Sequence, residues 1–139
     1  MKGNEELTGM IVDTAYHLHR RLGPGLLESV SEAILAKMLT DRGLVVERQK
    51  PIPLEFEGLR FDEVHRLDLL VDNQVVVELK AAETLLPVYT RQVLTYLRCL
   101  DLPVRLLINF GAAKFNDGLR RVLNPHASVL TNPDVQDVA

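Results

Sequence analysis

Two neighbouring stretches, "HRLDLLV" (65–71) and "QVVVELK" (74–80), carry charge where an interior strand should be apolar. Val75, Val76 and Val77 open a run suited to burial on both faces, yet Glu78 and Lys80 follow, flanking Leu79. Charged side chains are seldom fully buried unless they are paired. Alternate residues of a strand share a face. Val76, Glu78 and Lys80 therefore point one way, and Val75, Val77 and Leu79 the other. In the preceding stretch Leu67, Leu69 and Val71 are expected on one face, with Arg66, Asp68 and Leu70 opposite. A hairpin closed by three residues, Asp72 to Gln74, with Asn73 left-handed, sets Asp68 across from Glu78. A two-residue loop would put the carboxylates on opposite faces and split the apolar sets, so the three-residue loop is expected.

Two carboxylates directly opposite each other repel. A cation between them removes the conflict, and hard oxygen ligands on adjacent strands suit Mg²⁺ or Mn²⁺. Lys80, one step along the same face as Glu78, would orient a water or stabilise developing negative charge. Asp68, Glu78 and Lys80 together have the chemistry of metal-assisted phosphodiester hydrolysis. The competing explanation is a solvated strand face with an incidental ion pair, since E-x-K triplets are common. Glu28 and Gln92 each have an ordinary alternative too. A carboxylate near a helix N-terminus suits the dipole, and Gln92 and Tyr96, four apart on one helical face, need no special role.

The elements that must position these residues follow from periodicity. "EELTGMIVDTAYHLHRRLG" carries Leu7, Met10, Ile11, Ala15, Leu18 and Leu22 at helical spacing, and Gly23 stops it. After the "GPG" turn a second helix is expected from about Leu26 to Arg42, ended by Gly43. "LVVERQKPIPLEFEG" reads as strand, with Pro51 and Pro53 confining its middle to an edge or an irregular connection. The hairpin comes next, then a helix over "VYTRQVLTYLRCL" with Val93, Leu94, Leu97 and Leu100 inward. "VRLLINF" reads as a short central strand, "KFNDGLRRVL" as a source of an edge strand, and 124–139 as a loosely ordered tail. Helices before, within and beside a strand meander imply an α/β (α+β) layer. Asn109 and Gly111 either line the site or make a turn.

The chain has 139 residues, 47% hydrophobic and 25% charged, which fits one globular domain spanning 1–139. No run of about twenty apolar residues and no signal-peptide pattern is present, so a cytoplasmic protein is expected. Cys99 is the sole cysteine, so no intrachain disulfide can form, and a packing role is expected of it. His17 and His19 stand two apart, and neither they, His65 nor His126 has zinc-site spacing. The net charge of −3 does not by itself favour nucleic acid. Affinity for phosphate depends instead on local cations, for which Arg66, Lys80 and Arg91 are candidates, with Arg48 and Lys50 nearby.

The order Glu on an early helix, Asp, E-x-K, then Q-x-x-x-Y resembles the PD-(D/E)XK nuclease superfamily. More closely, "LGPGLLESVSEAIL", "RLDLLVDNQVVVELKAAETLLPVYTRQVLTYL" and "LLINFGAAKF" resemble its small bacterial and archaeal GxxExxY family, from about Leu7 to Leu123. The resemblance implies a restriction-endonuclease-like α-β-β-β-α-β core with the site at the mouth of the hairpin. It implies Glu28, Asp68 and Glu78 as metal ligands, with the Leu79 carbonyl a fourth, Lys80 as the catalytic lysine, Gln92 as a catalytic accessory group and Tyr96 beside it. One position departs: Gly25 and Glu28 match the family's name pattern, but Ser31 stands where it has Tyr.

Three functions are compatible with these features. The first is a Mg²⁺- or Mn²⁺-dependent nuclease acting on DNA, and the second a catalytically inactive module of the same fold that binds a protein or nucleic acid. The third is a phosphohydrolase for small nucleotides using the same metal site. An exposed sheet edge would allow a homodimer.

Overall fold

The computed structural model describes residues 2–123, apart from the side chains of Thr90, Val93, Tyr96, Leu97 and Cys99. The expected tail lies outside that range. Helix α1 (Asn4–Leu22) is followed by α2 (Glu28–Asp41), β1 (Val46–Phe56), β2 (Leu59–Val71) and β3 (Val75–Lys80). Then come α3 (Pro87–Leu100), β4 (Val104–Asn109), a 3₁₀ turn (Phe115–Gly118) and β5 (Leu119–Leu123). The five strands form one mixed sheet in chain order. β1, β2 and β3 run as an antiparallel meander, β4 joins β3 in parallel through α3, and β5 returns antiparallel.

Helix ends follow local chemistry. α1 stops at Gly23, whose φ of 76° suits a residue lacking Cβ, and the Gly23 N–H donates to the His19 carbonyl. α2 begins at Glu28 rather than Leu26, because the chain still bends at Leu26 after the "GPG" turn and Leu27 is extended. Pro87 opens α3, where its missing N–H costs nothing.

Two apolar clusters hold the sheet between helical layers. On one face Leu7, Ile11, Leu18, Leu35 and Leu39 of α1 and α2 pack on Leu69, Val71, Val75, Val77, Leu79, Leu106 and Ile108. On the other, Leu94 and Leu100 of α3 cover Leu70, Val76, Val122, Ile52 and Leu67. Each fully buried leucine contributes on the order of 1.5–3 kcal/mol. β4 is buried at every position, as expected of a central strand.

The hairpin has the expected three-residue loop: Val71 pairs with Val75 and Leu69 with Val77. Both Asp72 and Asn73 are left-handed, at φ 50° and 54°. The expected faces hold along β3 but fail in β2. Leu67 packs with Leu70 and Val76, on the face opposite Leu69 and Val71. Alternation slips at Asp68, where the β2–β3 pairing ends and where Gln49 of the paired β1 turns left-handed at φ 51°. Strict period-two reasoning cannot register such a kink.

Pro51 and Pro53 lie on β1, an edge strand, which tolerates the absent donors. β2 meets β3 only from Leu69 onward, so Leu59 to Leu67 form a two-stranded ribbon with β1 beyond the sheet. No helix among the described residues is long and apolar enough to cross a membrane.

Candidate active site

The ends of β2 and β3 and the start of α2 bring the sequence-selected charges into one neighbourhood. Asp68 turns its Oδ2 to the backbone N–H of Leu79, 2.8 Å away. The kink at Asp68 thus ties the first carboxylate to the strand that bears Glu78 and Lys80. Glu78 is nearly buried, at 5% exposure, and His65 Nε2 approaches its Oε1 at 3.4 Å without completing a hydrogen bond. Burial and the charge of Glu78 push the Asp68 carboxyl up to about 6, against the smaller opposing effect of the Leu79 N–H. Glu28, at the first position of α2, is raised as well, first by partial desolvation and then by Asp68, while Lys80 opposes the rise. These influences show that Glu28 shares an electrostatic site with Asp68 and Lys80.

Lys80 places its ammonium over the ring of Tyr89, 4.7 Å from the centroid, a cation–π contact supplied by the first turn of α3. The strand end beyond Lys80 is clamped. Phe110 N–H donates to the Lys80 carbonyl at 2.9 Å. The Asn109 side chain accepts from Ala82 N–H at 2.9 Å and donates to the Ala82 carbonyl at 2.7 Å. The same Oδ1 accepts from Gly111 N–H at 3.0 Å. A Cβ on Gly111 would lie 2.4 Å from the Ala82 carbonyl oxygen, so only glycine permits this close approach. Asn109 and Gly111 therefore neither merely turn the chain nor line an open cleft; they fix the strand that presents Lys80.

A row of crowded carboxylates, a partly buried lysine and a strand-end clamp on a mixed sheet belong together. Residues 5–122 match the PD-(D/E)XK nuclease superfamily. The chain belongs to that superfamily. No curated protein and no solved structure matches it closely enough to add a relative. Nucleases of the PD-(D/E)XK superfamily generally use divalent metals, and the superfamily implies a nucleic-acid substrate.

The donor set fits a divalent ion of this kind. Asp68 and Glu28 are both raised first by burial and then by neighbouring negative charge, the second of which a cation would relieve, and all the donors are hard oxygens. Among the described residues no three His, Cys, Asp or Glu side chains stand grouped as a bound ion would hold them. Asp68 and Glu78 are the adjacent pair, while Glu28, at the start of α2, is tied to Asp68 and Lys80 only through their charge. Each Asp68 oxygen, though hydrogen-bonded, keeps a second lone pair for a ligand.

Gln92 is exposed on α3, and the side chain of Tyr96 lies outside the described residues. Arg66 is exposed and pairs with Glu63, while Arg91 lines a hollow with Leu85, Leu86, Pro87 and Arg120. Arg48 is committed to Glu32 and Lys50 to Glu47. Ser31 is fully buried, and among the described residues its hydroxyl has no partner.

Several site residues escaped sequence reasoning. Glu32, one helical turn after Glu28, is buried and takes Arg48 and Gln49 as donors. Its spacing from Glu28 was the available signal. Arg105 is fully buried on β4, and among the described residues its guanidinium nitrogens have no hydrogen-bond partner. Burial lowers it to about 9 and the charge of Glu78 opposes the fall, so it remains a cation at neutral pH. Within "VRLLINF" nothing distinguishes it from an arginine that reaches solvent.

Proposed function

We propose that this protein is a Mg²⁺- or Mn²⁺-dependent nuclease that hydrolyses DNA phosphodiesters, of the GxxExxY type within its superfamily. The observation that carries the reading is the junction of Asp68 with the Glu78–Lys80 strand through the Leu79 N–H, with Glu28 in the same electrostatic site. Glu28, Asp68 and Glu78 would hold the ion, with the Leu79 carbonyl as a further candidate ligand. When bound, the ion supplies an acidified water and charge neutralisation at the phosphate. Lys80, held over Tyr89, orients or deprotonates the attacking water and balances charge on the phosphate oxygens. His65 stands 3.4 Å from Glu78, and the buried Arg105 guanidinium feels the charge of the same carboxylate. Gly25 and Glu28 support the GxxExxY assignment, and Ser31 departs from it. Gln92 is the candidate accessory group of the site, and Arg66 and Arg91 are candidates for contact with substrate phosphates.

Labelled linear, nicked and single-stranded DNA incubated with the protein and Mn²⁺ or Mg²⁺ tests the reading. Cleavage by the parent, lost in Glu78→Ala and Lys80→Ala, is expected. Cleavage by Lys80→Ala at the parent rate would refute the role of Lys80.

A second reading, an inactive module that binds a protein, is favoured by the ribbon. Phe56, Leu59 and Phe61 are 64%, 63% and 49% exposed there. Apolar side chains gathered at one tip mark contact surfaces more often than scattered ones do. Absence of any metal response in the parent would select this reading.

A further inference from the structure

Five non-glycine residues among those described have positive φ: Gln49, Glu57, Asp72, Asn73 and Asp101. Four of them sit in turns or at the end of α3, where the left-handed conformation is ordinary. Gln49 alone lies inside a strand. A side chain held in that conformation within a sheet is strained, and such strain persists only when the surroundings impose it. What imposes it here is a hydrogen-bonded path from the core of α2 to the candidate site. Arg48 donates to Glu32 Oε2 through Nε at 3.2 Å and Nη2 at 3.0 Å. Gln49 Nε2 donates to Glu32 Oε1 at 2.5 Å and to Asp68 Oδ1 at 3.3 Å. Asp68 then receives Leu79 N–H on its other oxygen.

The chemistry of that position is narrow. Both neighbours of the Gln49 amide are carboxylates, so its NH₂ must face them, one hydrogen for each. A carboxylate there would add a third negative charge, and an apolar chain would leave buried Glu32 short of a donor. With both oxygens held, one by Gln49 and one by Leu79, the Asp68 carboxylate plane is fixed. Outer partners of this sort orient metal-binding carboxylates, and their loss commonly weakens metal binding 10–100-fold.

We propose that Gln49 is a positioning residue for Asp68, its strained backbone being the means of turning one amide between Glu32 and Asp68. The metal-binding consequence rests on the function proposed above, whereas the orienting of Asp68 does not. The test follows the thermal midpoint against Mn²⁺ concentration in the parent, Gln49→Leu, Asp68→Ala and Lys37→Ala, the last altering an exposed lysine of α2 that pairs with Asp41. Gln49→Leu should need at least tenfold more Mn²⁺ for half of the maximal shift, Asp68→Ala should lose the shift, and Lys37→Ala should match the parent. A purely structural role would lower the metal-free midpoint and leave the Mn²⁺ requirement unchanged. A requirement within twofold of the parent in Gln49→Leu overturns the proposal. Should Gln49→Leu not fold, Gln49→Met replaces it under the same criteria. Should the parent show no Mn²⁺ response, the metal reading fails and the variant's crystal structure decides. Loss of the Asp68 Oδ2–Leu79 N bond then supports the orienting role, and its retention overturns it.

Discussion

Asp68 and Leu79 are joined across the hairpin by a carboxylate–amide hydrogen bond of 2.8 Å, made where the regular β2–β3 pairing ends. The bond ties a raised carboxyl to the strand carrying Glu78 and Lys80, and it lets proton binding at Asp68 be read through stability. The folded-state value of about 6 lies above the ordinary 3.8, so the folded protein keeps this proton longer than the unfolded chain does. Stability from this group is therefore full below about pH 4 and is lost as pH rises to about 6, a fall of up to about 3 kcal/mol, less what solvent screening removes. Asp68→Asn should remove that fall. Urea midpoints of parent and variant at pH 4, 5, 6 and 7 check it: the difference should grow in the variant's favour and level off above pH 6. A constant difference would show that Asp68 titrates normally.

Lys80 and Tyr89 make a separate claim. The cation–π contact at 4.7 Å needs a ring but no hydroxyl. Tyr89→Phe should match the parent in both Tm and cleavage, and Tyr89→Leu should lose about 0.5–1 kcal/mol. Cleavage by Tyr89→Leu should fall through kcat with KM little changed, because the lysine is released from its place rather than removed. Equal behaviour of the Leu and Phe variants would deny the ring a role.

Ser31 yields a prediction of opposite sign. Its hydroxyl is buried and has no partner among the described residues, a cost without a return there. Ser31→Ala should be neutral or stabilising by up to about 1 kcal/mol, measured by chemical denaturation. A clear loss of stability would mean that the hydroxyl has a bonded partner in solution.

How much of this was legible in the sequence differs by residue. The order of helices and strands was readable, as was the three-residue loop, because apolar period and turn chemistry are local signals. Val75, Val77 and Leu79 were correctly set on one face for the same reason. Leu67 was misplaced because the kink beside it depends on Gln49, Glu32 and Asp68 meeting in space, which no window of sequence contains. Arg105 is buried within the sheet and Glu32 where α2 meets β1, so their significance came only with tertiary structure. Asn109 offered a visible signal, a polar residue ending an apolar strand, but not its partner twenty-seven residues earlier.

That partner makes Asn109 the sharpest test of how the strand end is held. Its amide both donates to and accepts from Ala82, and it also receives Gly111 N–H, all while 1% exposed. Asn109→Ala strands buried donors and an acceptor and should cost about 2–4 kcal/mol. Gly111→Ala, whose Cβ would meet Ala82 backbone atoms at 2.4 and 2.7 Å, should cost about 3 kcal/mol or more. Asn109→Asp separates stability from position, since it keeps the acceptor for Ala82 and Gly111 but sets an oxygen against the Ala82 carbonyl. That repulsion should displace the segment just after Lys80, so Asn109→Asp should lose cleavage out of proportion to its lowered Tm. A variant of matched Tm altered far from the site, such as Leu39→Ala partly offset by a stabilising osmolyte, supplies the comparison. If both lose cleavage equally at equal Tm, Asn109 serves the fold alone and the placement of Lys80 owes nothing to it.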